Sequence, residues 1–418
     1  MKSLHPPGPG RLPWALWLLS ILLASSGCAW HLKAADLRVY YAAASSYFYH
    51  SGPMYGPNAV FGWPMFYRYP PLFLCLFRPF ALLPLRAAAA LWAGLKVFLL
   101  GPLLWRWRQR FIAPSRLWPA VSVPALLLLP YLVHELESGN VQLLLVELVC
   151  FALLLCDEHP FVSSLLLGLT AAIKVWPAFL FPYLALRGRW RLGVHASLAA
   201  ALLTVAPACW LGWKNMFHLL AQWYTQEKRI NALLGDKWYP SQSLRGVMLR
   251  YLTWMDYSDL PDRNYRHVNL VSWPSIDVRH LWLLLAVLLV LFSSALVYRC
   301  ADDAAAYSIF FCFLLIIQPN VHPIIYVTLL WPALFAGIVM THQRSPRFAR
   351  WVLKGAAAVA VLVPLVPGAS FQRLAQVLGV DFLGVLLPLT LVLVTYASRC
   401  WSPAPIVRSC EPPPEANR

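Results

Sequence analysis

Apolar runs recur along almost the whole chain, and between them Lys and Arg gather in three short clusters: Arg106 to Arg110, Arg187 to Arg191, and Arg344 to Lys354. A helix needs ~20 apolar residues to cross the hydrocarbon of a bilayer, and basic clusters in short loops stay on the cytoplasmic side. The alternation therefore points to an all-α polytopic membrane protein. Composition agrees: 60% of the 418 residues are hydrophobic and 12% are charged, about half the charge density of a water-soluble domain. Soluble enzyme folds are excluded. The formal charge of +17 reads as cytoplasmic loop bias and attraction to anionic lipid, and no basic run interleaved with aromatics points to nucleic acid.

Threading the chain by these rules gives about twelve spans. The first, Pro13 to Trp30, leaves the cytoplasm behind Lys2 and Arg11 and is expected to remain as an uncleaved helix. A long outside loop covers residues 31–86. Within it Pro79 and Pro84 interrupt the stretch Leu72 to Leu85, which is expected to lie along the interface or re-enter. Further spans are expected at 87–105, 117–133, 141–156, 161–175 with 178–186, and 192–212. A second outside segment, 213–280, precedes spans at 281–298, 304–317, 324–340, 356–367 and 380–397. Residues 1–400 read as a single membrane domain whose long outside loops carry interfacial helices, and 401–418 as a disordered cytoplasmic tail. The nine cysteines show neither a disulfide framework nor zinc-site spacing. No Walker loop supports an ATP-driven transporter.

This threading gathers the notable polar residues at one membrane face. Asp36 follows the first span, where a carboxylate can overhang the membrane surface or pair with Lys33 or Arg38. Gly139-Asn140-Val141-Gln142 sets two amides at a helix start, suited to an anion or hydroxyls, or simply to capping. Lys174 ends a short apolar span and must snorkel or meet an anion. Leu244, Val247, Met248 and Leu252 stand at helical spacing after Gln242 and carry Arg245 with them. His322 lies in the short polar loop Gln318 to Pro323.

Five motifs in this order, Asp36 with Val39-Tyr40-Tyr41, Tyr69-x-Pro-Pro-Leu72, Gly139-Asn140-x-Gln142, Ile173-Lys174-x-x-Pro177 and Gln242-Ser243-Leu244-x-Gly246, resemble glycosyltransferase family 87. The chain departs from that pattern at Ser241, where Asn is commoner, and in the loop before His322. The resemblance implies a GT-C-like fold and transfer of mannose from a polyprenyl-phosphate donor to a glycolipid or glycan acceptor. Arg68, Tyr69, Asn140, Gln142 and Gln242 are expected to bind substrate.

Such chemistry needs few residues. The leaving group is already a stable phosphate, so one base for the acceptor hydroxyl and cations for the phosphate suffice. Asp36 fits the base, and Lys174, Arg245 and His322 fit the phosphate. A single displacement through the acceptor gives inversion. No second acid follows Asp36, so neither a metal nor another cofactor is expected; Glu135 and Glu137 stand as the alternative second acid or metal ligands. The expected setting is the cell inner membrane, with the site on the non-cytoplasmic face of a monomer in contact with membrane lipid. A secondary transporter or flippase of a lipid-linked sugar is the competing reading, using the same cations to recognise cargo.

Overall fold

The computed structural model describes residues 11–31, 33–61, 65–111, 117–234, 240–257, 266–341 and 347–399. Lys2, Lys237 to Tyr239, Arg344 and the expected tail 401–418 lie outside the described residues. Among the described residues there is no strand. Helices follow from the hydropathy, because in hydrocarbon every backbone N–H and C=O must be satisfied within its own segment. In chain order they are α1 (Arg11–Trp30), α2 (Ala35–Tyr49), α3 (Pro71–Ala81), α4 (Leu85–Phe111), α5 (Leu117–Ser138), α6 (Gln142–Leu155), α7 (Pro160–Ile173), α8 (Leu180–Leu186) and α9 (Trp190–Val205). There follow α10 (Ala208–Leu211), α11 (Trp213–Leu234), α12 (Leu244–Leu252), α13 (Ser275–Arg299), α14 (Asp303–Ile317), α15 (Leu330–Thr341), α16 (Arg347–Leu365), α17 (Ala369–Leu378) and α18 (Leu387–Arg399).

Six helical segments are long and apolar enough to cross a membrane, or up to eight if each of two bent pairs, α1 with α2 and α17 with α18, is one span and not a re-entrant turn. Four further apolar stretches, Gln142–Leu155, Pro160–Ile173, Trp176–Leu186 and Asp303–Ile317, fall short of the ~20 residues of a full crossing. They account for the difference from the expected dozen. Of these, α6 and α14 are buried along most of their length, so neighbouring helices rather than lipid set their extent. Small residues let helices approach closely where lipid offers no hydrophobic drive to pair them. At the α7–α9 contact a Cβ on Gly168 would stand 2.5 Å from that of Ala199.

Two of the basic clusters meet at one end of the bundle. Asp157, just past α6, takes Arg110 at 3.1 Å and Arg189 at 2.8 Å, and Asp303 takes Arg189 at 2.9 Å and also Arg187. Arg347, Arg350 and Lys354, expected in a loop, instead form the first turns of α16. Helix continues out of the apolar stretch there because long basic side chains can leave hydrocarbon without unwinding the backbone.

The two long segments expected outside are largely helical too. In the first, α2 and α3 are joined to α4 by edge-to-face rings, with Tyr40 5.3 Å from Tyr69 and 5.0 Å from Phe73, and Phe77 5.4 Å from Trp92. In the second, α11 is an amphipathic helix that buries Met216, Leu219 and Ile230. The helical spacing read after Gln242 is α12, started by the Ser243 hydroxyl accepting the Gly246 N–H at 3.1 Å.

Candidate active site

Asp36 stands in the first turn of α2, and that turn is fixed by the connection between α5 and α6. Ala34, left-handed at φ 36°, donates its N–H to the Glu137 carbonyl at 2.9 Å. Gly139 has φ +68°, and a Cβ there would come within 2.6 Å of the Leu37 Cβ. Only glycine allows that backbone and that contact together. The following residue, Asn140, accepts the Gln142 N–H on Oδ1 at 2.9 Å, which leaves its amide N–H groups to face the Asp36 carboxylate.

Gln142, the first residue of α6, carries the arrangement onward. Its Oε1 accepts from Lys174 Nζ at 2.8 Å, and its Nε2 donates to Thr328 Oγ1 at 2.8 Å. Lys174 is the extended residue at which α7 ends, three before Pro177. Its Nζ lies 5.9 Å from the centre of the Tyr69 ring, and the Tyr69 hydroxyl meets that of Tyr40 at 3.0 Å. Asp36, Asn140, Gln142, Lys174 and Tyr69 are therefore brought together. Among the described residues neither Asp36 nor Lys174 closes an ion pair within 4 Å; each is held by a side-chain amide.

His322 forms an adjoining wall. Its ring stacks on His134 at 5.7 Å, and its Nδ1 accepts the Ile324 N–H at 3.4 Å, which assigns the ring proton to Nε2. The Gln242–Ser243 stretch holds this loop: the Gln242 N–H donates to the Val321 carbonyl at 2.6 Å, Ser243 Oγ to that of Pro319 at 3.0 Å, and Tyr326 OH to that of Gln242 at 3.0 Å. The Gln242 side chain itself donates to the Gln376 carbonyl at 2.8 Å. Arg245 lies over Trp282, 5.5 Å from the centre of its ring. Arg68 forks onto Glu227 of α11 at 3.0 and 2.7 Å, tying the segment before α3 to α11. Past that pair, a cavity of about 560 Å³ opens between the Gly56 turn and α11, lined by Tyr55, Phe66, His218, Gln222 and Arg229 among others.

Burial pushes the Asp36 carboxyl above its usual range, and the Asn140 amide, then the positive charges of Lys174, His134 and Lys96, pull it part of the way back. Burial, with His134 beside it, lowers His322 to about 4, so at neutral pH this residue is an Nε2–H donor and not a cation. Glu135 and Glu137, the alternative acids, are both engaged. Glu137 pairs with Lys33 at 3.0 Å, and Glu135 pairs with Lys96 at 2.8 Å with both side chains fully buried. Among the described residues no three His, Cys, Asp or Glu side chains cluster as metal ligands.

Sequence reasoning passed over His134, Glu227, Thr328 and Lys96. Lys96 had a legible signal, because it is the one charged residue between Arg86 and Arg106 and a charge there needs a partner.

The family model for glycosyltransferase family 87 matches residues 66–319. A Mycobacterium tuberculosis protein named polyprenol-phosphate-mannose-dependent alpha-(1-2)-phosphatidylinositol mannoside mannosyltransferase is 30% identical over 239 residues, covering 50% of this chain and 55% of the relative. A Mycolicibacterium smegmatis protein of the same name is 26% identical over 276 residues, covering 60% of this chain and 61% of the relative. The matches thus span between half and two thirds of those relatives. The family match begins after Asp36 and ends before His322, so it covers neither. With well over half of its length matched, and as a polytopic helical membrane protein, the chain belongs to glycosyltransferase family 87.

Proposed function

We propose that this protein transfers a mannosyl residue from polyprenyl-phosphate-mannose to a hydroxyl of a glycolipid or glycan acceptor, with inversion. The names of the mycobacterial relatives supply the donor and suggest a phosphatidylinositol mannoside as the acceptor. One observation carries the reading: a carboxylate and an ammonium, each held by a side-chain amide, lie within electrostatic reach of one another and close no ion pair with each other. In the reaction the acceptor O–H gives its proton to Asp36 while its oxygen attacks the anomeric carbon. The bond from that carbon to the phosphate oxygen breaks, and the electron pair leaves with the phosphate. Lys174 meets the growing negative charge, and His322 donates from Nε2. A base raised above the ordinary carboxylate range is a stronger proton acceptor. Tyr69, Asn140 and Gln142 line the sugar, the Arg68–Glu227 pair and the cavity beyond it border the acceptor's approach, and Gln242 holds the His322 loop. Arg245 is assigned a headgroup contact outside the reacting cluster.

The site occupies the non-cytoplasmic side of the cell membrane in this reading. The paired arginine clusters lie at the far end of α6, where Arg110 donates to the Leu154 carbonyl, and short basic loops stay inside. Residues 1–400 act as one domain and as a monomer.

The test is transfer of radiolabelled mannose from polyprenyl-phosphate-mannose to phosphatidylinositol mannosides by the purified protein, with the anomeric configuration of the product assigned by NMR. Labelling of Ser51→Cys in intact cells checks the side; labelling only after permeabilisation would reverse it. A flippase would move the lipid-linked sugar between leaflets without forming a glycoside.

A further inference from the structure

Lys96 and Glu135 are a fully buried ion pair that the reaction itself does not use. Two charges in an apolar interior are costly to desolvate, and well-packed apolar residues of similar volume often hold a fold equally well or better. Holding helices together is therefore an insufficient account of the pair. What apolar side chains cannot do is donate and accept, and here both functions are aimed at one short stretch of backbone. Lys96 Nζ donates to the Asn140 carbonyl at 3.0 Å, and Glu135 Oε1 accepts the Leu143 N–H at 3.2 Å. One turn before Lys96, Trp92 Nε1 donates to the Gly139 carbonyl at 2.9 Å. The stretch so gripped, residues 139–143, contains the glycine that Leu37 packs on and the two amides that face Asp36 and Lys174.

We propose that Lys96 and Glu135 are positioning residues for the transfer, setting the Asn140 amide and through it the orientation of the Asp36 carboxylate. Neither touches substrate. Their effect runs from α4 through the α5–α6 turn to α2. The inference rests on Asp36 acting as the base.

The experiment replaces the pair by apolar residues, Lys96→Met with Glu135→Leu, and combines this with Asn140→Ala in a double-mutant cycle on the purified protein. Melting temperature and monodispersity are recorded for each variant, and kcat and KM are taken per folded molecule. The paired substitution is expected to lower kcat by about 10–100-fold, the scale on which a displacement of ~1 Å acts, while the donor KM stays within about threefold. In the Asn140→Ala background the same substitution is expected to add little, because the residue that transmits the effect is gone. Wild-type kcat in the folded double variant, or full additivity with Asn140→Ala, would overturn the proposal. A merely structural pair would lower yield and melting temperature and leave turnover per folded molecule intact. Should the double variant not fold, Lys96→Met alone removes the donor to the Asn140 carbonyl and enters the same cycle. Asp36→Asn runs beside them. If it turns over normally, the function proposed above falls; if it is dead while the pair variant is normal, only the positioning role falls.

Discussion

At the arginine end of the bundle Asp157 is shared by Arg110 and Arg189, Asp303 by Arg187 and Arg189, and Arg106 reaches Glu158. At the Asp36 end the reactive charges meet amides instead, Lys174 on Gln142 and Asp36 against Asn140. Both ends draw on the same few side-chain types. Direct ion pairing spends charge on structure, whereas amide support fixes a charged group and leaves its field for a ligand. The second arrangement is tolerable only where something else bears the desolvation, since a lone charge near hydrocarbon is costly. In the proposed reaction the donor's lipid phosphate does so for Lys174, and the proton taken from the acceptor does so for Asp36.

This contrast can be broken most directly at Asp36. Asp36→Asn keeps the shape and loses the base, so kcat should fall by about 10²–10⁴-fold with the melting temperature unchanged, read by radiolabelled mannose transfer. Near-normal turnover would place the Asp36 end with the structural one. Lys174→Ala should cost about 10²–10³-fold in kcat/KM and raise the donor KM, measured by varying the polyprenyl-phosphate-mannose concentration. A lysine that merely snorkels would alter expression and leave donor kinetics alone.

A pH profile sharpens the comparison with a smaller effect. Only the deprotonated carboxylate accepts a proton, so kcat/KM should fall on the acid side. Burial places that limb above the 3.8 of an ordinary aspartate. Lys174 holds the carboxyl down, so Lys174→Gln should move the limb to still higher pH; a shift towards acid would contradict the assigned proximity. At the other end Asp157→Asn should cost about 1 kcal/mol or less, as partly exposed pairs do, visible in thermal unfolding and absent from donor or acceptor KM.

Most of the apolar helical stretches, and the shared end of two of the arginine clusters, were legible because hydropathy and charge act locally along the chain. Asp36, Asn140, Gln142 and Lys174 were legible as one-face residues for the same reason. Their mutual contacts were not, since the Asn140 and Gln142 amide orientations follow from partners far away in sequence, Thr328 among them. α11 was readable in principle: Met216, Leu219, Trp223 and Ile230 fall at helical spacing, but its charged face disguises it in a search for spans. The count of full crossings was less legible, because a buried short helix and a lipid-facing one look alike in composition.

On the ribosome Lys96 comes out first, and Glu135 follows 39 residues later, a delay of about 2–8 s at roughly 5–20 residues per second. During that interval α4 carries a lone ammonium in its middle third, which on its own costs the helix about 2.5–3.5 kcal/mol of insertion free energy. α4 is still apolar enough to cross alone, so its insertion is expected to be less favourable, not blocked, until α5 arrives to neutralise the charge. The charge balance of this part of the membrane domain thus belongs to the α4–α5 pair, and a chain interrupted between the two is expected to insert α4 with its ammonium unpaired.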